Sequence, residues 1–156
     1  MKTYSFETQT ILDKHIHEVF PFFANAENLD AVTPPWLKFE ILTPLPIEMK
    51  VGTKVDYRLR LHGMPIRWCS EITEWDPPHK FTDVQIKGPY CLWRHEHFFT
   101  AESNQTRMID RVEYAIPGWI FAPIVHSLFV KRDLEKIFDY RERRFLEIFN
   151  LKKFDK

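Results

Sequence analysis

The chain has 156 residues, 44% of them hydrophobic, which suffices for one domain with one sizeable core and is too short to favour two. Lys and Arg number 22 and so do Asp and Glu, so no net field draws the chain toward nucleic acid or a strongly charged partner. No uncharged apolar run approaches the roughly 20 residues that cross a bilayer, and stable membrane insertion is not expected.

Cys69 and Cys91 stand in different strand-like segments without metal-type spacing, and the first ten residues alternate instead of forming an apolar signal core. Reduced thiols in the cytoplasm are the expectation. The unusual figure is 15% aromatic content, with 14 Phe and 5 Trp against only 4 Gly. Such side chains either fill a core or line a hollow one.

Residues 3–12, TYSFETQTIL, alternate with the period of a half-buried strand. Asp13 then offers an N-cap, and Ile16, Val19, Phe20 and Phe23 follow at the spacing of one helical face. A second short helix spans Ala26 to Val32 and is ended by Pro34 and Pro35, which restrict the backbone and lack donors. From Leu37 the period is that of strands: LKFEILT, then 53–63, 65–75, 80–86, 90–101 and 106–116. Turn-forming separators such as DPPH, KGP and ESNQ divide them. Separators this short predict an antiparallel meander. After Pro117 and Gly118 the residues Ser127, Val130, Leu134, Ile137, Arg141, Phe145 and Ile148 recur at helical spacing, which predicts one long closing helix.

The expected class is therefore α+β, a single domain over residues 1–156. A curved antiparallel sheet of about seven strands wraps a long C-terminal helix, with two short helices after the first strand. The helix is the only element large enough to cover the sheet's apolar face, and bulky rings on a curved sheet can prop it away and leave a space. The element order, together with FFANAENLDAVTPPW, GPYCLWRHEHFF, DRVEYAIP and LEKIFDYRERR, resembles the ligand-binding SRPBCC group of the START-like superfamily, in its cyclase/dehydrase-like branch. The resemblance runs over nearly the whole chain. It implies a helix-grip fold with a hydrophobic cavity, and it leaves the reaction, if any, open.

Within WRHEHFF, alternation puts Trp93, His95, His97 and Phe99 on one face and Arg94 and Glu96 on the other, which should meet water. A hairpin turning at Ser103 and Asn104 sets Glu102 opposite Gln105. His97 then falls opposite Asp110, His95 opposite Val112, and Trp93 opposite Tyr114. A one-residue slip would bury Arg111 and expose Val112. His97 beside Asp110 is either a poised acid or base or a satisfied polar pair in a partly wet core. Asp83, Gln85 and Tyr114 are candidates for the same face, with Tyr57 as a further ligand-binding candidate.

HEHFFTAE also matches part of a cupin metal motif, with Glu102 as third ligand, but the motif's later histidine is missing after Pro117. No metal and no cofactor are expected. Cys91 has no base in register, and the glycines do not form a phosphate loop. The apolar segment 117–130 reads equally as a buried helix start or as a gate over the cavity mouth.

The first expectation is a binding protein, monomeric or weakly dimeric, whose cavity holds a lipid-, quinone- or polyketide-like molecule with a polar group near His97 and Asp110. The second is a polyketide cyclase/dehydratase-type enzyme with His97 as proton carrier and Asp110 orienting it. The weakest is an interaction module displaying Trp36, Trp119 and Phe121.

Overall fold

The computed structural model of the chain describes residues 1–118 and 121–150. Strand β1 (Tyr4–Leu12) leads into helix α1 (Ile16–Phe23), a 3-10 turn (Ala26–Asn28), helix α2 (Leu29–Val32) and a second 3-10 turn (Pro35–Leu37). Six strands follow: β2 (Glu40–Ile41), β3 (Lys54–Leu61), β4 (Met64–Asp76), β5 (Lys80–Lys87), β6 (Leu92–Glu102) and β7 (Gln105–Ala115). They form one antiparallel seven-stranded sheet in the order β1-β7-β6-β5-β4-β3-β2. Its β1 edge pairs with β7, Tyr4 opposite Tyr114 through Leu12 opposite Thr106, so the first and last strands lie side by side. Helix α3 (Ala122–Val125), a π turn (His126–Val130) and helix α4 (Lys131–Phe149) then run on as one long helix across the concave face. Among the described residues no helix is long and apolar enough to cross a membrane.

The β6–β7 hairpin has the register that the charge pattern predicts. Glu102 pairs with Gln105, His97 with Asp110, His95 with Val112 and Trp93 with Tyr114. Ser103 takes the left-handed conformation (φ 57°) that the tight turn demands. Along β6 the odd positions from Trp93 to Phe99 are buried and the even ones are not, so one set of rings and imidazoles faces the helix.

Three local expectations are corrected. The cap of α1 is His15, whose Nδ1 accepts from the His17 amide at 3.3 Å, and not Asp13. Asp13 is drawn elsewhere: its amide donates to Asn150 Oδ1 at 2.8 Å and its carboxylate accepts from Gln105 at 3.4 Å. The strand expected over LKFEILT shrinks to Glu40–Ile41, because Lys38 turns left-handed (φ 45°) and the prolines beyond Thr43 lack donors. In α4 the buried residues are Leu134, Phe138, Phe145 and Phe149, while Ile148 is exposed. The sequence stripe followed a spacing near 3.5, and a helix of 3.6 residues per turn drifts off it by about 20° every seven residues.

Two aromatic clusters lie under the helix. One joins Leu12, Ile16, Phe20, Phe81, Phe99, Phe145 and Phe149, and its rings meet edge-on, as Phe20 meets Phe99 (5.3 Å between centroids) and Phe23 meets Phe145 (4.9 Å), or stacked, as Phe81 meets Phe99 (6.1 Å). The other joins Trp68, Trp93, Val112, Tyr114, Leu134 and Phe138. Asn150 fastens the helix end to the first strand, with Nδ2 donating to the Ile11 carbonyl at 3.1 Å. Phe145 and Phe149 carry the helix into the filled end, Phe145 at 2% exposure. Phe145→Ala should therefore cost about 3–5 kcal/mol, read as a lowered midpoint in thermal or denaturant unfolding; a change below about 1 kcal/mol would show that the helix is held elsewhere.

Candidate functional site

Between the two clusters the packing fails to close, leaving a cavity of about 210 Å³ bounded by the inner face of β3–β6, the corner around α2, and α4. Most of its wall is apolar, including Phe39, Leu59, Trp68, Phe81, Trp93 and Phe138. Its charged and ionisable lining consists of Tyr57, Asp83, Tyr90, His95, His97 and, from the helix, Arg141.

Strand alternation brings the two imidazoles together, with ring centroids 3.8 Å apart. Asp110 stands behind them, on β7. Its Oδ1 accepts from His95 Nε2 at 2.8 Å and lies 2.9 Å from His97 Nδ1. The second contact is close but not aligned along the ring N–H direction, so Nδ1 of His97 makes no hydrogen bond. In front, Asp83 from β5 sits directly opposite His95 in register, and its Oδ2 is 3.0 Å from His97 Nε2 and 4.0 Å from His95 Nδ1. Ser70 extends the chain, with its hydroxyl 3.5 Å from Asp83 Oδ1 and accepting from the Trp68 indole at 3.0 Å. Phe81 stacks on the His97 ring at 4.1 Å.

Burial and partners oppose each other at every group here. Burial alone would raise Asp110, yet the hydrogen bond to His95 and the imidazole of His97 beside it hold its carboxyl far below the ordinary range. Asp83 behaves likewise: its burial is outweighed by the bond to His97 and the charges around it, and its carboxyl is lowered. Burial and the neighbouring His97 push His95 down, toward the neutral imidazole. For His97 burial is overcome by Asp110 and Asp83, so its value is raised and the charged form favoured. The Tyr57 hydroxyl is pushed well up, first by burial and then by the charge of Asp83.

Of the residues singled out in the sequence, Trp93, His95, His97, Asp83 and Tyr57 line the cavity. Asp110 does not reach it and touches the histidines from behind. Phe99 belongs to the filled cluster. Tyr114 packs beside Trp93 and exchanges a 2.7 Å hydrogen bond with His126, away from the space. Gln85 is turned back on its own strand end, donating to the Tyr90 carbonyl at 2.8 Å and accepting from the Tyr90 amide at 3.2 Å. Glu102 pairs with Arg107 at the hairpin end. None of Ala122 to Val130 lines the cavity; Ala122 is buried in the second cluster with Val130 packed against it, while Phe121, Ile124, Leu128 and Phe129 are exposed. Trp36 is half exposed and edges onto Tyr140 at 5.7 Å; Trp119 lies outside the described residues.

The sequence reading missed Ser70, Trp68 and the role of Arg141. Arg141 did carry a signal, a guanidinium standing in the apolar stripe of the last helix. It lies over the rings of Phe138 (5.7 Å) and Phe145 (5.3 Å), and its buried Nε has no hydrogen-bond partner among the described residues.

The chain matches no protein-family model and no curated protein. Among solved structures it is similar to the Zhui aromatase/cyclase of Streptomyces sp. R1128, with a TM-score of 0.74, 16% identity, and coverage of 94% of this chain and 93% of that one. Norcoclaurine synthase of Thalictrum flavum superposes with a TM-score of 0.66 at 15% identity, over 94% of this chain and 88% of the other. Ara h 8.0201 gives 0.63 at 17%, over 94% and 99%. Identities this low carry the fold and nothing finer. The chain thus has the helix-grip fold that these structures share.

Proposed function

We propose that the chain binds a compact, ring-bearing hydrophobic molecule whose polar oxygen meets the wall formed by Asp83, His95 and His97. The observation that carries this reading is a hollow of about 210 Å³ with aromatic sides and with its imidazoles and carboxylate gathered on one strand pair. A dry apolar cavity of about 150 Å³ already takes benzene, so this one has room for a larger ring compound, while a long acyl chain would need side chains to move. The structural neighbours support ring compounds as the class: one is an aromatase/cyclase, and norcoclaurine synthase has been solved with dopamine and hydroxybenzaldehyde. Arg141, with a donor to spare, suits an oxygen acceptor on the same ligand.

A second reading rests on a separate observation, the carboxylate behind and the imidazole in front. Asp110 lies out of the cavity and touches both histidines, while His97 faces the space. That is the arrangement of a positioned acid or base, and it supports proton transfer of the cyclase or dehydratase type. The two readings share the site and differ in whether the bound compound is changed.

Two outcomes test these readings. Titration with an apolar fluorophore should saturate at one equivalent and be displaced by phenols or quinones, and Leu59→Trp, which fills the cavity, should weaken the fluorophore at least tenfold without loss of the folded circular-dichroism spectrum. Absence of saturable binding in the folded wild type would reject the cavity reading. Separately, His97→Gln should weaken a hydroxyl-bearing ring compound by up to about tenfold, the worth of one hydrogen bond, and leave its hydroxyl-free analogue within about twofold. Equal losses for both compounds would show that His97 shapes the wall and makes no polar contact. If the compound is turned over, the same substitution should abolish turnover while binding persists.

A further inference from the structure

We propose that His95, His97 and Asp83 form a site for one first-row divalent metal ion, with Asp110 orienting the imidazoles from behind. The expectation against a metal rested on a doubtful third ligand, Glu102, and on the missing later histidine. The fold supplies a different one, because β5 places Asp83 opposite His95 in the sheet. Ligand-capable atoms of Asp83, His95 and His97 all lie within 4.8 Å of one another.

Proton bookkeeping at these atoms carries the inference. An ionised carboxylate only accepts, so Asp110 takes the N–H of His95 at Nε2 (2.8 Å), and its same oxygen lies 2.9 Å from His97 Nδ1. With its proton turned toward Asp110, His95 presents the Nδ1 lone pair toward the cavity, and His97, which makes no hydrogen bond at Nδ1, brings Nε2 to the same space. The third group there, Asp83 Oδ2, is also an acceptor, 4.0 Å from the first and 3.0 Å from the second. What stands between His97 Nε2 and Asp83 Oδ2 is either a proton on Nε2 or a metal ion, which the Nδ1 of His95 would also reach. For metal–nitrogen and metal–oxygen bonds near 2.0–2.2 Å, neighbouring ligand atoms stand about 3–3.5 Å apart. The His97–Asp83 pair is already at that separation, and the His95–Asp83 pair needs a small ring rotation. Two imidazoles and one carboxylate select a first-row transition ion over calcium or magnesium, and a carboxylate on the far nitrogen is the usual support of a metal-bound histidine.

The remaining coordination positions open onto the cavity, whose other polar lining includes Tyr57, Ser70 and Arg141. A divalent ion together with Arg141 exceeds the charge of Asp83 and Asp110 by one, which suits a ligand that reaches the metal through an anionic oxygen. This proposal does not need the cavity filled, so it stands or falls apart from the binding reading.

The test is titration of chelator-treated full-length protein with Zn²⁺ by calorimetry and with Co²⁺ by visible absorption. One equivalent should bind with micromolar or tighter affinity, and Co²⁺ should show ligand-field bands of a nitrogen- and oxygen-coordinated ion. Asp83→Asn and His97→Gln should each weaken binding at least thirtyfold, and Asp110→Asn about tenfold, as loss of a supporting carboxylate does. The competing site is the exposed His15–His17 pair, with rings 4.9 Å apart, so the His15→Gln, His17→Gln double variant should bind as the wild type does. Should His97→Gln not fold, Asp83→Asn, at a side chain still 19% exposed, decides. Folded wild type that takes up no Zn²⁺, or binding that Asp83→Asn keeps and the double variant loses, overturns the proposal. A fluorophore that still saturates in either case leaves the cavity reading standing.

Discussion

A carboxylate buried to 3% exposure persists in ionised form only when charged partners and hydrogen bonds replace its water, and Asp110 has both from one strand. That requirement pins the middle of the sheet. If β6 slipped by one residue against β7, Asp110 would face Glu96 or Phe98 in place of His97, and Arg111 would take the core position that Val112 holds at 0% exposure. The register, the facing of the two imidazoles and the polarity of the cavity wall are thus one constraint. Its cost is borne by the surrounding packing, since removing either partner of such a pair leaves the other charge unanswered.

The same helix that covers the wall decides where the protein is solid and where it is hollow. At the α1 end, rings from four elements interlock: Phe20 and Phe23 from α1, Phe81 from β5, Phe99 from β6, and Phe145 and Phe149 from α4. At the other end Trp68, Tyr90 and Trp93 meet one another edge-on or tilted and hold the helix off the sheet. Rings are stiff, with few rotamers, so they cannot collapse into the gap between the clusters as aliphatic chains would. The 15% aromatic content, ambiguous in the composition, therefore serves both purposes in one molecule.

How far the sequence could be read follows from where its periodicity holds. Between Leu92 and Ala115 two strands alternate without interruption and join through a two-residue turn, so counting outward from Ser103 and Asn104 reaches the His97–Asp110 pairing. The β4–β5 pairing is broken by register shifts between Cys69 and Ser70 and between Ile72 and Glu74. Past such bulges alternation no longer reports facing. Asp83 and Gln85, two residues apart, consequently looked alike, although one completes the histidine wall and the other ties down Tyr90. The helix posed a different difficulty. Its π turn at His126–Val130 and its 3.6-residue period move the buried face from Ile137 and Ile148 toward Phe138 and Phe149. Arg141 stayed in view throughout as a charge in an apolar stripe, but only the fold shows that it looks onto the cavity.

Arg141 also gives the cavity a direction. Its charge helps to lower Asp83 and counters the rise of Tyr57, so its field crosses the space to the opposite wall, where low-dielectric rings screen it weakly. The guanidinium side offers donors, and Asp83 offers acceptors. A ligand with a single oxygen satisfies one side and leaves the other as it was; a ligand that places an acceptor under Arg141 and a donor or an anionic oxygen at the histidines satisfies both. Purely apolar compounds would contact the aromatic sides and give the polar groups of the two walls no new partner. On the proposed reading, the spacing of oxygens on a ring system would therefore matter beside hydrophobic bulk.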